Sequence, residues 1–459
     1  MRMIARLLAI LSAAMLAVQP VAAQSVLRDA ETEAFLDEIS APLIEAAGLE
    51  PGNVDIVLIA DPSINAFVAG GQAVYIHSGL IDAADSAEEV QGVIAHELGH
   101  ITGGHILRYG DGVASATKIS LLSMIAGIGA ALAGAGEAAM GVMMAGQQAA
   151  MSKFLAFSRT QESSADFAGA EYLSKAGISG EGSLNFFGKL LNQEYRYGYS
   201  QSDEAGFWRT HPLSGDRISA LREVYERDPA WKKPPNARNQ ANFERIKAKL
   251  SGYMAKPAAT LRDYPETDRT IPALYARAYA YHQNARVDLA LDATDQLLAK
   301  DPDDPYFLEL KGQVLLESGR PTEALDPLRR ATALTNSEPL IASLFGHALI
   351  ATEERANFDE AERVLRAAVG RDRRNPFAWY QLGVVYAARG DEPRARLATA
   401  EQQVMSGQYA LAMRSAHSAE GGLDRGSPDW IRAQDIGMQA RALLERQCEM
   451  ERKRNCAPG

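Results

Sequence analysis

The first apolar runs of the chain predict a small β-sheet. Residues 54–59 read Val-Asp-Ile-Val-Leu-Ile, and two further β-rich runs, residues 65–69 and 73–77, lie on either side of Gly70-Gly71. A pair of glycines between such runs is typical of a tight hairpin turn, because glycine adopts positive φ without strain. We therefore expect one strand followed by a β-hairpin.

The pattern then changes to apolar residues at every third or fourth position. Ser86 followed by Glu89 forms a capping box, which marks the start of a helix. The apolar face of that helix follows, with Val90, Val93, Ile94, Leu98 and Ile101. We expect a helix that starts near Ala87 and ends close to Gly103-Gly104, since glycine costs about 1 kcal/mol in a helix interior.

Residues 119–150 are dominated by Ala, Gly, Met and Ile. Their uninterrupted apolar stretch is shorter than the roughly 20 residues that a membrane-spanning helix needs, and Glu137 ends it. We expect helices that are buried by packing. A mobile cover over an active site and a segment that touches a membrane are the alternatives, and the sequence does not separate them.

The second half of the chain repeats one helical unit. Small residues recur in two series at spacings of 34, 34 and 37 and of 34, 37 and 34: Ala278, Gly312, Gly346, Gly383, and Ala290, Ala324, Ala361, Ala395. They are expected where paired helices cross closely, and the three extra residues after Gly346 fall in a turn. With Trp379, Leu382, Tyr386 and Gly390, the pattern resembles the tetratricopeptide repeat.

This resemblance predicts four repeats, closing helices over residues 408–419 and 430–447, and a concave groove that binds protein. Before the repeats, one helix is predicted over about 159–175, and a proline-marked stretch after Arg217 contains another over 242–254. An unrelated alanine-rich bundle is the alternative for the second half.

The N-terminus has the three parts of an export signal. Arg2 and Arg6 precede an apolar run over residues 7–18, and a small-residue cleavage site follows, so the mature chain should begin near Gln24. The predicted divisions are a signal peptide at 1–23, a domain that carries the chemistry at 24–255, a linker at 256–270, a repeat domain at 271–447 and a tail at 448–459.

The net charge and the cysteine content limit which partners and which cellular compartment we expect for the chain. A net charge of −11 gives no general positive field, so nucleic acid and anionic membranes are poor partners by this measure, and any membrane contact is expected to be peripheral at most. The two cysteines, Cys448 and Cys456, lie in the last twelve residues. An exported chain meets an oxidising compartment, so we expect these two cysteines to form a disulfide.

His96-Glu97-Leu98-Gly99-His100 lies within the predicted capped helix. Histidines four positions apart share one helical face, so both can bind a single metal ion. Imidazole nitrogen suits zinc, and three protein ligands leave one position open for water, as catalysis requires. Glu97 lies beside that face and can take a proton from this water and pass it to a leaving amine. The pattern predicts a zinc hydrolase, and a structural histidine pair is the alternative.

The third zinc ligand has two candidates. His105 would complete the pattern His-Glu-x-x-His-x-x-Gly-x-x-His only if it stood at position 106, which is Ile106. We therefore expect His105 to support a ligand or to lie at the surface. Glu162 is the better candidate, because Glu162 and Asp166 lie four apart on a predicted helix. One carboxylate would bind zinc while Asp166 orients a ligand histidine.

Four features together resemble the zinc-peptidase family of HtpX and the prenyl-protein endopeptidases, over about residues 50–225. They are the His96-Glu97-x-x-His100 helix, Glu162-x-x-x-Asp166, the Asn65-Ala66-Phe67 hairpin leading to Ser78-Gly79-Leu80, and Thr210-His211-Pro212 with Arg217. With its export signal and repeats, the chain is most similar to the BepA-like (YfgC) periplasmic branch of this family.

The resemblance implies a mainly α protein, with an N-terminal α+β zincin-type (gluzincin) metalloprotease domain and a small sheet, followed by an all-α tetratricopeptide-repeat solenoid. It implies one Zn2+ per chain, bound by His96, His100 and Glu162, with Glu97 as general base. It also implies periplasmic work on unfolded, misfolded or stalled envelope proteins. The repeat groove would hold a protein partner, for which the outer-membrane barrel assembly machinery is a candidate.

Three further roles follow from matched family positions and from the hairpin. His211 either stabilises the oxyanion of the reaction or binds zinc as a fourth ligand that holds the enzyme inactive; we favour the second, and a surface loop histidine is the third possibility. Arg217 is expected to support the metal site. The strand Ala73-Val74-Tyr75-Ile76 could pair with an extended substrate by strand addition, which reads backbone rather than sequence.

Two other functions fit the same patterns. The first is a periplasmic chaperone or adaptor built on the repeats, whose metal site only stabilises the fold. The second is a zinc hydrolase that acts on something other than peptides. The complete set of candidate catalytic residues argues against the first, and the hairpin and family resemblance argue against the second.

Overall fold

A computed structural model of the chain describes residues 25–132, 136–197, 211 and 214–455. The predicted signal peptide at 1–23 and Cys456 lie outside the described residues. The described residues divide into two compact units, one containing residues 25–28 and those between 35 and 243, and one containing residues 29–34 and 244–455. The predicted domain boundaries at 255 and 270 stay predictions.

The first unit contains one small mixed sheet. Its strands are Ser25–Val26 (β1), Asp55–Ala60 (β2), Ala66–Ala69 (β3) and Ala73–His77 (β4). Their order across the sheet is β1-β2-β4-β3, with β2 and β4 parallel and β3 and β4 antiparallel. The predicted hairpin is present, and its turn holds Gly70 at φ 65° and Gly71 at φ 108°. Only glycine adopts both values without strain.

Among the described residues up to Met254, eight α-helices follow the sheet or separate its strands. They are Ala30–Ala46 (α1), Ser78–Ala83 (α2), Ala87–Thr102 (α3), His105–Leu132 (α4), Gly136–Ala176 (α5), Glu181–Tyr197 (α6), Gly215–Glu226 (α7) and Ala237–Met254 (α8).

Helix α3 is the buried centre of the first unit. It begins at Ala87 as predicted, because Ser86 Oγ accepts a hydrogen bond of 3.2 Å from the Glu89 backbone N–H. The Glu89 carboxylate in turn accepts one of 2.8 Å from the backbone N–H of Asp85. Every residue from Val90 to His100 is buried, so side chains on α3 are held in fixed positions.

Helices α4 and α5 pack against each other as a long hairpin. Large apolar side chains of this hairpin are exposed over residues 119–128 and 140–151. The prediction that 119–150 is buried is wrong, because helices α4 and α5 cover each other and each keeps its remaining faces open. The part of the chain that the structure describes contains no helix long and apolar enough to cross a membrane.

The second unit is built from helix pairs. Its helices are Pro257–Asp263 (α9), Ile271–Gln283 (α10), Val287–Lys300 (α11), Pro305–Glu317 (α12), Pro321–Leu334 (α13), Pro339–Ala351 (α14), Phe358–Arg371 (α15), Pro376–Ala388 (α16), Glu392–Met405 (α17), Tyr409–Gly422 (α18) and Pro428–Asn455 (α19).

Helices α10 to α17 form the four predicted repeats, and α18 and α19 are the predicted closing helices. Small residues lie where the paired helices cross: a Cβ added at Gly346 would meet the side chain of Leu365 at 2.5 Å. The longer connection over residues 352–357 contains one short 3-10 turn, so the three extra residues lie between two helices, as predicted.

Cys448, one of the two cysteines of the expected Cys448–Cys456 disulfide, lies within helix α19. Cys448 is exposed, and the helix continues to Asn455. Cys456 lies outside the described residues, so the disulfide stays a prediction.

Candidate active site

The site is built on two helices that approach each other at small residues. A Cβ added at Gly99 of α3 would lie 2.6 Å from the carbonyl oxygen of Ala165 on α5. One added at Gly169 would lie 3.0 Å from the carbonyl oxygen of Ala95. Both distances are shorter than ordinary contacts, so the two backbones nearly touch. This close approach brings the histidines of α3 to the carboxylates of α5.

Four buried side chains converge at this crossing. The ligand atoms of His96, His100, Glu162 and His211 all lie within 4.8 Å of one another. His96 Nε2 lies 3.1 Å from His100 Nε2 and 3.3 Å from His211 Nδ1. Glu162 oxygens lie 3.5 Å from His96 Nε2, 3.5 Å from His100 Nε2 and 3.2 Å from His211 Nδ1.

These distances fit a shared cation. Ligands placed about 2.05 Å from a tetrahedral zinc ion are separated from each other by about 3.3 Å. Imidazole nitrogens that face each other can share only one proton, so a cluster of converging nitrogens and a carboxylate is explained well by a metal ion. Three imidazoles and one carboxylate are a donor set that suits zinc.

Glu97 lies beside the cluster and is completely buried. Among the residues that the structure describes, neither of its carboxylate oxygens has a hydrogen-bond partner. Oε1 lies 3.5 Å from His211 Nε2. Burial raises the pKa of this carboxyl. An unpartnered, buried carboxylate of this kind is suited to accept a proton near neutral pH.

The ring of His96 is fixed by an ordered chain of charges. His96 Nδ1 lies 2.9 Å from Asp166 Oδ1. Arg217 donates two hydrogen bonds to Asp166, from Nε at 2.7 Å and from a terminal nitrogen at 2.8 Å, and its other terminal nitrogen lies 3.3 Å from Glu162. Ser214 caps helix α7 at the Arg217 N–H. Asp166 and Arg217 therefore orient the cluster without entering it.

The pKa values of the two histidines on α3 diverge. Burial would lower the pKa of His96, but hydrogen bonds to Asp166 and Glu162 raise it to about 10. Burial, and then the charge on His96, lowers the pKa of His100 to about 2. Burial would raise the pKa of Glu162, whereas its hydrogen bonds with His211 and His96 hold it well below its usual value. Glu162 and His100 are thus in the deprotonated and neutral forms that bind metal, whereas His96 would have to lose a proton when zinc binds.

Other residues contact the ligands from outside. His105 is buried, and its Nδ1 lies 2.9 Å from Nδ1 of His100. The ring of Phe187 on α6 meets the ring of His96 edge-on, with centroids 5.8 Å apart. Sequence reasoning missed Phe187. Its apolar neighbours Leu184 and Leu190 mark a buried helical face, but nothing in that pattern points to a metal ligand.

The predicted substrate strand is wrong. Residues Ala73–His77 form β4, which pairs with β2 on one side and with β3 on the other. Both hydrogen-bonding edges of β4 are therefore occupied, and no substrate strand can be added to it. The edge beyond β4 belongs to β3, Ala66–Ala69, which packs against helix α3. The edge strands of the sheet are β1 and β3, and β3 is the one next to the hairpin strand β4.

We expect Asp166→Asn to weaken zinc binding by about 10–100-fold, because the amide cannot accept both the His96 contact and two hydrogen bonds from Arg217. Zinc titration against a competing chelator measures the change. Asp228→Asn, in the turn after α7 and outside the cluster, is the matched control and should bind zinc normally. Equal affinity in both variants would show that Asp166 does not position His96.

Comparison with known proteins matches the N-terminal and C-terminal regions of the chain to two different family models. Residues 30–225 match the model of Peptidase family M48, and residues 275–339 and 352–404 match the model of the tetratricopeptide repeat. The N-terminal region is similar to peptidase family M48. The chain is a metalloprotease that carries tetratricopeptide repeats, as the motifs predicted.

Similar proteins share both regions. The chain is 30% identical over 292 residues to the putative beta-barrel assembly-enhancing protease of Vibrio cholerae. The aligned residues cover 62% of this chain and 59% of that protein. It is 26% identical over 400 residues to the beta-barrel assembly-enhancing protease of Yersinia pestis, covering 85% and 79%. For the Escherichia coli protein of the same name the values are 25% over 434 residues, covering 90% and 83%.

Proposed function

We propose that this protein is an exported, periplasmic endopeptidase that uses one zinc ion per chain to hydrolyse peptide bonds of misfolded or stalled envelope proteins. The observation that carries the proposal is the position of Glu97. Its carboxylate is buried, has no hydrogen-bond partner among the residues that the structure describes, and lies beside a cluster of three imidazoles and one carboxylate. A site that only stabilised the fold would have no use for an unsatisfied buried carboxylate, which destabilises the protein.

The residues of the chain have separate tasks in this reaction. His96, His100 and Glu162 would hold zinc, which when bound polarises a carbonyl and makes water more acidic. Glu97 accepts a proton from the attacking water at a carboxylate oxygen and returns it to the nitrogen of the leaving amine. Asp166 and Arg217 keep His96 and Glu162 in place. Burial of the cluster excludes bulk water, which strengthens each of these interactions.

Cleavage of unfolded casein tests the proposal. The purified mature protein with zinc should cleave casein, and a chelator should stop the cleavage, because the cluster would lose its metal. Restoring zinc should restore the activity. Tight binding of casein without cleavage would instead support the alternative of a repeat-based chaperone or adaptor with a structural metal site.

His211 is proposed to act as a cap on the cluster. Its Nδ1 lies 3.2 Å from Glu162 and 3.3 Å from His96, which is the spacing of a fourth ligand. A fourth protein ligand fills the position that water needs, so Glu97 would have no water to deprotonate. Such a cap would protect neighbouring proteins from a peptidase of broad specificity.

We expect His211→Ala to raise casein cleavage, on the order of tenfold if the capped form predominates. Zinc content should stay close to that of the unchanged protein, since three ligands remain. A fall in activity of about 10²–10³-fold would instead indicate that His211 stabilises the oxyanion. Unchanged activity would contradict both roles.

The repeats are proposed to recruit substrate or a protein partner. Stacked helix pairs of this kind form protein-binding surfaces. The relatives are named for enhancing beta-barrel assembly, and this supports the outer-membrane barrel assembly machinery as the partner. Crosslinking of the exported protein in cells, followed by identification of the crosslinked chains, would test this. Partners crosslinked only to residues 35–243 would contradict recruitment by the repeats.

A further inference from the structure

The hairpin of α4 and α5 presents a large apolar surface that the peptidase reaction does not use. We call this surface the apolar end of the hairpin, and its exposed side chains are Leu121, Leu122, Met124, Ile125, Ile128, Met140, Val142, Met144 and Met151. Soluble proteins seldom expose so many large apolar side chains together unless they bind something.

The apolar residues occupy a wide arc of the hairpin. On α4, the helical rotation of 100° per residue spreads the five exposed side chains from Met124 to Leu122 over roughly 160°. Helix α5 adds Met140, Met144 and Met151 from its own exposed side. A groove in a protein covers one face of a helix, whereas lipid surrounds an inserted segment. The width of the arc therefore favours lipid.

Charge changes sharply where the apolar end begins. Between Lys118 and Lys153 the only charged residue in the sequence is Glu137. Gly146 packs against Ser123, and Gly112 against Phe157, which fixes the register of the two helices. In this register Lys118 and Lys153 lie within about 3 Å of the same level along the hairpin. Both lysines are exposed, and they form a basic collar.

The local charge differs from that of the whole chain. Arg108 and Arg159 are exposed nearer the base of the hairpin, about 15 Å and 9 Å along their helices from Lys118 and Lys153, and Asp111 is an exposed acidic residue in the same part of α4. The hairpin is thus locally basic in a chain whose net charge is −11. Lysines at such a boundary reach anionic headgroups while their stems cover apolar surface.

The apolar end is longer than the hydrocarbon of one leaflet, which is about 15 Å, and too short to cross the whole bilayer. Residues 119–132 of α4 extend about 21 Å, whereas the hydrocarbon core of a bilayer is about 30 Å thick. The apolar end can enter the nearer half of the core and cannot reach the far side. We propose that the α4–α5 hairpin docks the protein on an anionic lipid bilayer, with the apolar end inserted and Lys118 and Lys153 at the headgroups.

Docking would also hold the peptidase site close to the lipid surface. This consequence rests on the proposed function. Glu162 lies nine residues beyond Lys153 on α5, which is about 14 Å along the helix. Polypeptides close to the lipid surface would then be the accessible substrates. The docking itself needs no peptidase activity, so the two proposals can fail independently.

Vesicle flotation with the purified full-length protein tests the docking. The vesicles contain either phosphatidylcholine alone or an equal mixture of phosphatidylcholine and phosphatidylglycerol. We expect the protein to float best with the mixture. Leu122→Glu and Ile125→Glu should each lower the affinity by more than about tenfold, because a carboxylate is expelled from hydrocarbon. Lys118→Gln and Lys153→Gln should each lower it about fivefold on the mixture only.

Met438→Glu on α19 is the matched control. Met438 is 63% exposed and Leu122 is 66% exposed, so the two substitutions perturb folding to a similar extent. Only Leu122→Glu should reduce flotation. Equal flotation of Leu122→Glu and Met438→Glu would overturn the proposal. So would an oligomer in solution that Leu122→Glu dissociates without any flotation of the unchanged protein, since a second copy would then be the occupant.

Discussion

Glu97→Gln is expected to retain about one zinc per chain and to lose casein cleavage by at least about 10⁴-fold. The substitution removes a proton acceptor and no metal ligand. Glutamine has nearly the same shape as glutamate, so the buried position beside His211 stays filled. The two results together distinguish a general base from a ligand. Zinc content by metal analysis and cleavage of a quenched peptide measure them.

The control for this variant lies on the same helix. Glu88→Gln changes the same side chain at the start of α3, where Glu88 faces Glu181 rather than the cluster. We expect it to retain both zinc and activity. If Glu97→Gln lost its zinc, the assignment of Glu97 as a base would be undermined. If it retained activity, another group would have to accept the proton.

Glu162→Ala is expected to lower zinc content to a small fraction of one per chain. Its carboxylate is the one acidic ligand of the cluster and lies within hydrogen-bond distance of His211. Without it, no anionic ligand offsets the charge of the metal ion, and Arg217 loses one of its two carboxylate contacts. The thermal stabilisation that added zinc gives the unchanged protein should disappear as well, because a ligand stabilises a fold only by binding it.

The matched control is Glu171→Ala. Glu171 lies on the same helix α5, and its surface pair with Lys175 at 2.7 Å is fully separate from the cluster. This variant should bind one zinc and respond to zinc in thermal unfolding. Normal zinc content in Glu162→Ala would mean that the third ligand is elsewhere, with His211 as the candidate.

The parts of the fold that the sequence predicted are those set by neighbouring residues. The capped helix over Ala87–Thr102 follows from Ser86 and Glu89, and the repeat helices follow from small residues at a fixed spacing. The contact between Asp166 and His96 could be anticipated because Glu162 and Asp166 share a helical face with a known chemical use. Local pattern and chemistry agreed at each of these places.

The parts that failed depend on contacts between distant residues. The order of strands in the sheet is set by the pairing of β2 with β4, which no local pattern reveals, and the substrate strand was misassigned for that reason. The apolar composition of residues 119–150 gave no information about which surface would cover them. Phe187 was missed because its contact with His96 joins residues on separate helices, and apolar periodicity indicates burial without naming the neighbour.

The crossing of α3 and α5 restricts which residues can occupy positions 98 and 99, the two positions of the zinc motif that carry no chemistry. Leu98 is buried, and Gly99 has no room for a methyl group beside Ala165. A library that randomised Leu98 and Gly99 would therefore recover few active clones, although the three chemical residues of the motif were kept. Gly99→Ala would force the helices apart and spread the ligands. Metal affinity in this protein thus depends partly on a glycine that binds no metal, and a search for ligand residues does not detect it.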